Sequence, residues 1–121
     1  DVIAKVGGLD IAGMVGCYLG AAICQMPILI DGFISAVSAY LACILNQTAK
    51  EYMIPTHCSA EPAAKMIMEK LGMEAPLHAG MHLGEGTGAI MGLSLIDQAL
   101  NVYYHVATFE GGHVEAYTHQ V

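Results

Sequence analysis

A chain of 121 residues that is 55% hydrophobic and only 12% charged has the composition of one packed domain, too apolar for a disordered tail. Eleven acidic residues stand against four Lys and no Arg, a net charge of -7, so the basic footprint needed to neutralise nucleic-acid phosphates is missing and nucleic-acid binding is excluded. An anionic small molecule would have to be held mainly by backbone N–H groups and hydroxyls.

In chain order, Val2–Val6 reads as a short strand, Gly7-Gly8 as a turn, and Asp10 as the cap of a helix continuing to about Cys24. Pro27 starts a compact apolar strand, Ile28-Leu29-Ile30, that ends at Asp31-Gly32. A helix follows from about Phe33 to Leu45, with Phe33, Val37, Tyr40, Leu41 and Ile44 at helical spacing and Asn46 as its stop. Tyr52–Ile54 is the next strand. Ser59 is placed as the N-cap of a helix with Glu61 in its first turn, Ala60, Ala64, Ile67, Met68 and Leu71 on one face, and Gly72 as its left-handed end. A linking stretch, Met73–Met81, leads to the loop Leu83-Gly84-Glu85-Gly86-Thr87-Gly88. That loop opens a long helix to about Val106, with Ile90, Leu93, Ile96, Leu100 and Tyr103 as its core stripe. The tail from about 108 to 121 is polar and expected to be loosely held.

Short apolar strands alternating with helices predict an α/β fold: short parallel strands with about four helices, part of a doubly wound three-layer sandwich, with 1–121 as a fragment of that domain. The chain begins at Asp1 without an initiator Met, and its apolar helices suit the inner layer of a larger body, so the reading is of a piece of something longer. Ile11–Ile30 carries no charge, but Pro27 interrupts it and no Lys/Arg cluster flanks it. Gly13, Gly16 and Gly20 suit a helix packed closely in a soluble core. No membrane span is expected. Cys17, Cys24, Cys43 and Cys58 form no CxxC pair and read as reduced, structural residues, in keeping with a cytoplasmic protein.

Ligands in α/β sheets collect at the carboxyl ends of strands, where helix N-termini present free N–H groups. Four loops fall at such ends: 7–10, 31–33, 57–61 and 83–88. Together they suit a phosphorylated ligand. Singly, each has a plainer reading: Asp10, Asp31 and Ser59 as caps, and the glycines as turns. A carboxylate between two glycines, Glu85 has little packing of its own. Partial burial would raise its pKa toward the range of a general base, while its structural alternative is a first-turn acid favouring the helix dipole. His78 and His82 are four apart, but Gly80 lies between them and no third ligand is evident, so neither a metal nor a cofactor is expected.

The stretches Gly-Gly-Leu-Asp-Ile-Ala-Gly-Met-Val-Gly (7–16), Leu-Ile-Asp-Gly-Phe-Ile-Ser (29–35), His-Cys-Ser-Ala-Glu-Pro (57–62) and Leu-Gly-Glu-Gly-Thr-Gly-Ala (83–89) resemble, in order and spacing, the final third of the nicotinate-nucleotide:dimethylbenzimidazole phosphoribosyltransferase family. The resemblance implies transfer of phosphoribose from nicotinate mononucleotide to a benzimidazole base, in the making of the lower-ligand nucleotide of cobalamin. Glu85 would be the catalytic base. Gly32 and Ser59 would hold the nucleotide phosphate, Leu83 would lie beside the base-binding region, and Gly84 and Gly86 would also bind substrate. It further implies a homodimer, and a missing N-terminal part that carries the family's phosphate-binding lysine and much of the benzimidazole pocket. Lys5 matches none of those roles. The stretch alone is therefore expected to have little activity, and a non-catalytic binding or assembly module derived from the family is the alternative.

Overall fold

The computed structural model describes residues 4–5, 7–113 and 115. Among them, four α-helices and one 3-10 helix surround a pair of three-residue parallel strands. Helix α1 spans Leu9–Ile23, strand β1 Ile28–Ile30, helix α2 Phe33–Leu45, the 3-10 helix Gln47–Tyr52, strand β2 Met53–Pro55, helix α3 Ala64–Leu71 and helix α4 Thr87–His105. This is the mixed α/β arrangement that the alternation of elements predicts.

The strands pair Ile28 with Met53, Leu29 with Ile54 and Ile30 with Pro55. Strand side chains alternate between faces, so the register sorts them. On one face Ile28, Ile30 and Met53 join a cluster with Val15 and Tyr18 of α1, Ala36, Ala39 and Ala42 of α2, and Met68 and Leu71 of α3. The alanines let α2 lie close to its neighbours. On the other face Ile54 and Thr56 lie against Gly92, Leu95 and Ile96 of α4. Ile30 is fully buried, worth roughly 1.5–3 kcal/mol relative to exposure.

Several expected boundaries shift, each for a local reason. Of the strand expected at Val2–Val6, Ala4 and Lys5 are described and are helical, while Val2, Ile3 and Val6 lie outside the described residues. Five mixed residues do not separate strand from helix by periodicity alone. Asp10 does not cap α1. The helix begins on extended Gly8 without a side-chain cap, and Asp10 sits in the first turn, where the dipole favours it. Gln25, at φ 54°, closes α1: its N–H reaches Ala22 O and Met26 N–H reaches Ala21 O. The 3-10 helix takes Tyr52, so β2 starts one residue later than expected.

Ser59 is not an N-cap either. The chain beyond β2 stays extended: His57 bridges Leu77, Cys58 N–H donates to Leu77 O, and Ala60 N–H donates to Met81 O. With the backbone committed to that pairing, α3 can begin only at Ala64. It closes as expected on left-handed Gly72.

Of its expected stripe, helix α4 packs only through partly buried Ile96. Ile90 is 68% exposed, Leu93 49%, Leu100 46% and Tyr103 79%, and the buried residues are Gly88 and Gly92. A Cβ on Gly92 would lie 2.5 Å from Thr56 Cβ, so the helix approaches Thr56, the residue after β2, more closely than any side chain there permits. The glycines of α1 differ, since Cβ atoms at Gly13, Gly16 and Gly20 would meet nothing within 4 Å and that face is unpacked.

All four cysteines are free, with Cys17 and Cys24 exposed and Cys43 and Cys58 partly buried. Among the described residues no helix is long and apolar enough to cross a membrane. Residues 108–113 and 115 are exposed, and the remainder of the tail expected to be loose lies outside the described residues.

Candidate active site

Three loops meet at one end of the sheet: Asp31–Phe33 after β1, His57–Glu61 beyond β2, and His82–Gly86 before α4. They line a cleft of about 430 Å³ with Met14 of α1 at its edge. The expected site residues Gly32, Ser59, Glu85 and Gly86 are brought together here, as are Leu83 and Gly84. The loop at 7–10 does not line the cleft; α1 contributes Met14 instead.

Asp31 organises the cleft by using all of its polar atoms. Its carboxylate accepts the backbone N–H of Gly86 through Oδ2 at 3.1 Å and that of Ala89 through Oδ1 at 2.9 Å. Helix α4 has no side-chain cap of its own, so Asp31 caps it from a different loop, and α2, which Asp31 precedes, begins on uncapped Gly32. Asp31 N–H donates to Ser35 Oγ at 3.1 Å, and Ser35 Oγ lies 2.6 Å from the Tyr18 hydroxyl. Burial pushes the Tyr18 phenol up from its ordinary value, against the Ser35 hydrogen bond, which lowers it. The carbonyl of Asp31 faces His57 Nδ1 at 3.1 Å.

His57 is buried between two carbonyls, with Nε2 3.1 Å from Met81 O. A neutral imidazole carries one N–H and can satisfy one of these oxygens, whereas the imidazolium satisfies both. Gly88 packs directly on the ring: a Cβ there would lie 2.9 Å from His57 Cβ and Nδ1. One imidazole thus ties the loop after β1 to the loop before α4.

Met81 O also accepts Ala60 N–H at 3.0 Å and Ser59 Oγ at 3.4 Å. A carbonyl has two lone pairs. With His57 and Ala60 at shorter range, the Ser59 hydroxyl makes the weakest of the three contacts and is the one most easily redirected to a ligand.

Gly84, Glu85 and Gly86 have φ values of 77°, 57° and 79°. Glycine adopts the left-handed region freely, but for glutamate it costs on the order of 1 kcal/mol. The turn is fixed by Thr87 N–H and Thr87 Oγ1, both donating to Gly84 O, and by the Asp31 bond to Gly86. Glu85 and Leu83 are exposed at the cleft's rim, so the partial burial expected for Glu85 is not found in this chain.

No Lys is among the cleft residues, which include three carboxylates, Asp31, Glu61 and Glu85. His78 and His82 lie on an irregular stretch with left-handed Gly80 (φ 64°) between them, not on a helix, so a spacing of four does not put them on one face. Among the described residues no group of three or more His, Cys, Asp or Glu is arranged to hold a metal ion.

Sequence reasoning leaves three of these residues without their roles. Asp31 reads as serving only its own helix. The available signal is α4, whose Gly-Thr-Gly start lacks a local cap and so needs an acceptor from elsewhere. His57 carries no signal beyond its type. Glu61, expected in a helix's first turn, precedes α3 and faces the cleft.

A family model described as phosphoribosyltransferase matches residues 1–114. The chain belongs to that family. It is 50% identical over 121 residues to the nicotinate-nucleotide–dimethylbenzimidazole phosphoribosyltransferase of Acetivibrio thermocellus, covering 100% of this chain and 34% of the relative. To the protein of the same name from Clostridium acetobutylicum it is 51% identical over 117 residues, 97% of this chain and 33% of the relative. A crystal structure of the nicotinate-nucleotide–dimethylbenzimidazole phosphoribosyltransferase of Thermus thermophilus superposes with a TM-score of 0.88 at 33% identity, over 95% of this chain and 34% of that one. The chain thus spans about a third of the length of the relatives it matches.

Proposed function

We propose that this chain forms the C-terminal part of the active site in an enzyme transferring phosphoribose from nicotinate mononucleotide to dimethylbenzimidazole, in cobalamin biosynthesis. The observation that carries the reading is Glu85, a carboxylate held in left-handed backbone between two glycines, at the rim of a cleft floored by an uncapped helix start. Such strain is tolerated where the side chain is used.

One ring nitrogen of the benzimidazole attacks the anomeric carbon, and the C–N bond to nicotinate breaks with its electron pair passing to the cationic pyridinium nitrogen. Attack opposite the leaving group inverts the centre and gives the α-linked ribazole phosphate and free nicotinate. The proton on the second benzimidazole nitrogen passes to the Glu85 carboxylate. The phosphate sits at the start of α2, where Gly32 brings no side chain and first-turn N–H groups are free, and it accepts the redirected Ser59 hydroxyl. Leu83, Gly84 and Gly86 border the base.

The absence of a Lys among the cleft residues supports the expectation that the phosphate's cationic partner lies in the rest of the enzyme, so the 121-residue stretch alone turns over little. The same reading assigns the complete enzyme to the cytoplasm and to a homodimer. Glu85→Gln in the complete enzyme tests the base: turnover should fall at least about 100-fold, the scale of general-base catalysis, with nicotinate mononucleotide binding preserved. An unchanged rate would sink the assignment.

A further inference from the structure

The carboxylate of Glu61 is the unexplained group in the cleft. Its Oε2 is buried and has no hydrogen-bond partner, and no ion pair involving it is found among the described residues. It lines the cleft with Ser59, two positions earlier in the same loop, and with Gly32 and Glu85. The loop's backbone is held independently, since Ala60 N–H donates to Met81 O and Glu61 O accepts Ala64 N–H. The side chain is therefore not needed to shape the turn. A buried acceptor without a donor is costly, so its presence in a cleft points to a donor brought by a ligand.

We infer that Glu61 accepts a hydrogen bond from the ribose hydroxyls of the nucleotide and so makes the site selective for ribose over deoxyribose. The inference rests on the proposed transferase reading and deepens it. Elimination among the substrate's groups leads there. Phosphate and the nicotinate carboxylate offer acceptors and negative charge, which Glu61 repels. The single N–H of the benzimidazole is assigned to Glu85. The ribose diol is what remains, and its hydroxyls are donors that a carboxylate accepts well. Ser59 at the phosphate and Glu61 at the sugar would then read adjoining parts of one molecule from one loop.

The test uses the complete enzyme carrying this stretch, with nicotinate mononucleotide and its 2′-deoxy and 3′-deoxy analogues as substrates. The unaltered enzyme should prefer the ribonucleotide over at least one analogue by roughly 10- to 100-fold in kcat/KM, the range for one hydrogen bond to a charged group. Glu61→Ala should lower kcat/KM for the ribonucleotide by a similar factor and reduce the preference to within about threefold, leaving the KM for the benzimidazole unchanged. If Glu61→Ala does not fold, the near-isosteric Glu61→Gln should still narrow the preference several-fold. A preference that survives both substitutions overturns the inference and assigns the donor to another part of the protein; so does an effect confined to the benzimidazole KM. An unaltered enzyme that does not turn over nicotinate mononucleotide at all defeats the transferase reading itself, a result distinct from retained turnover with unchanged discrimination.

Discussion

Asp31 holds Gly86 across 55 residues of chain, its Oδ2 accepting the glycine's backbone N–H at 3.1 Å. With the second bond to Ala89, one carboxylate both caps α4 and fixes the turn that carries Glu85. The cap satisfies two of the N–H groups that a helix start leaves unpaired, and places negative charge at the positive end of the helix dipole.

Asp31→Ala should therefore destabilise the complete enzyme by about 1–2 kcal/mol, at the upper end for a lost cap because two charge-assisted bonds go. Turnover should fall further than binding of nicotinate mononucleotide, because Glu85 loses its register while the start of α2 is intact. Asp31→Asn, which keeps one acceptor oxygen, should lie between. Chemical denaturation and steady-state kinetics check both points, and an Ala variant with unaltered stability and rate would refute the capping role.

Tyr18 stands at the buried end of the same network, hydrogen-bonded to Ser35, which in turn accepts Asp31 N–H. Burial raises its phenol pKa above the ordinary value of about 10, so the folded state holds the proton more tightly than the unfolded chain does. Its contribution to stability is fully present below about pH 10 and is lost as pH climbs from there through the raised folded value. Unfolding midpoints measured between about pH 8 and pH 11 should show that decline. Tyr18→Phe should flatten it, at a cost of about 1 kcal/mol at neutral pH for the lost hydrogen bond. An identical decline in the Phe variant would assign the effect to another group.

Helical glycines in this chain fall into two kinds, and substitution should separate them by sign. Gly92→Ala would drive a Cβ to 2.5 Å from the Cβ of Thr56, which is buried and held to Ile30 O by both its N–H and its hydroxyl, so a loss of roughly 1–3 kcal/mol is expected. Gly13→Ala meets nothing within 4 Å and should stabilise the 121-residue chain by about 0.5–1 kcal/mol through helix propensity. Paired thermal melts decide the matter. Equal effects of one sign would mean that the closeness of α4 to Thr56 does not govern the packing.

The same contrast explains how far the sequence could be read. Helix α2 and strand β1 were legible to the residue because their signals are local: an apolar run bounded by Pro27, Gly32 and Asn46. Three of the four loop motifs pointed to the right end of the sheet, since a strand end followed by glycine and a hydroxyl is itself a physical pattern. Long-range pairings were not legible. Ser59 looks like a cap until Ala60 is seen bonded to Met81, and Asp31 looks like the cap of α2 until its carboxylate is found on α4. The apolar stripe of α4 misled for a related reason. Periodicity shows that a face is apolar, but which face meets the sheet was decided by the smallness of Gly88 and Gly92.

Glu85 permits a final separation of stability from activity. Its φ of 57° is one that glutamate adopts at a cost and glycine adopts freely, so Glu85→Gly should preserve or raise stability, by up to about 1 kcal/mol. Since Glu85 is exposed and no hydrogen bond of its side chain is found among the described residues, little packing is lost in exchange. Turnover in the complete enzyme should nonetheless collapse, because the group that takes the benzimidazole proton is gone. Glu85→Val, β-branched and poorly suited to the left-handed region, should lose both stability and turnover. A Glu85→Gly variant that unfolds earlier than the parent would show that the carboxylate holds the loop together, and would move Glu85 from the chemistry to the scaffold.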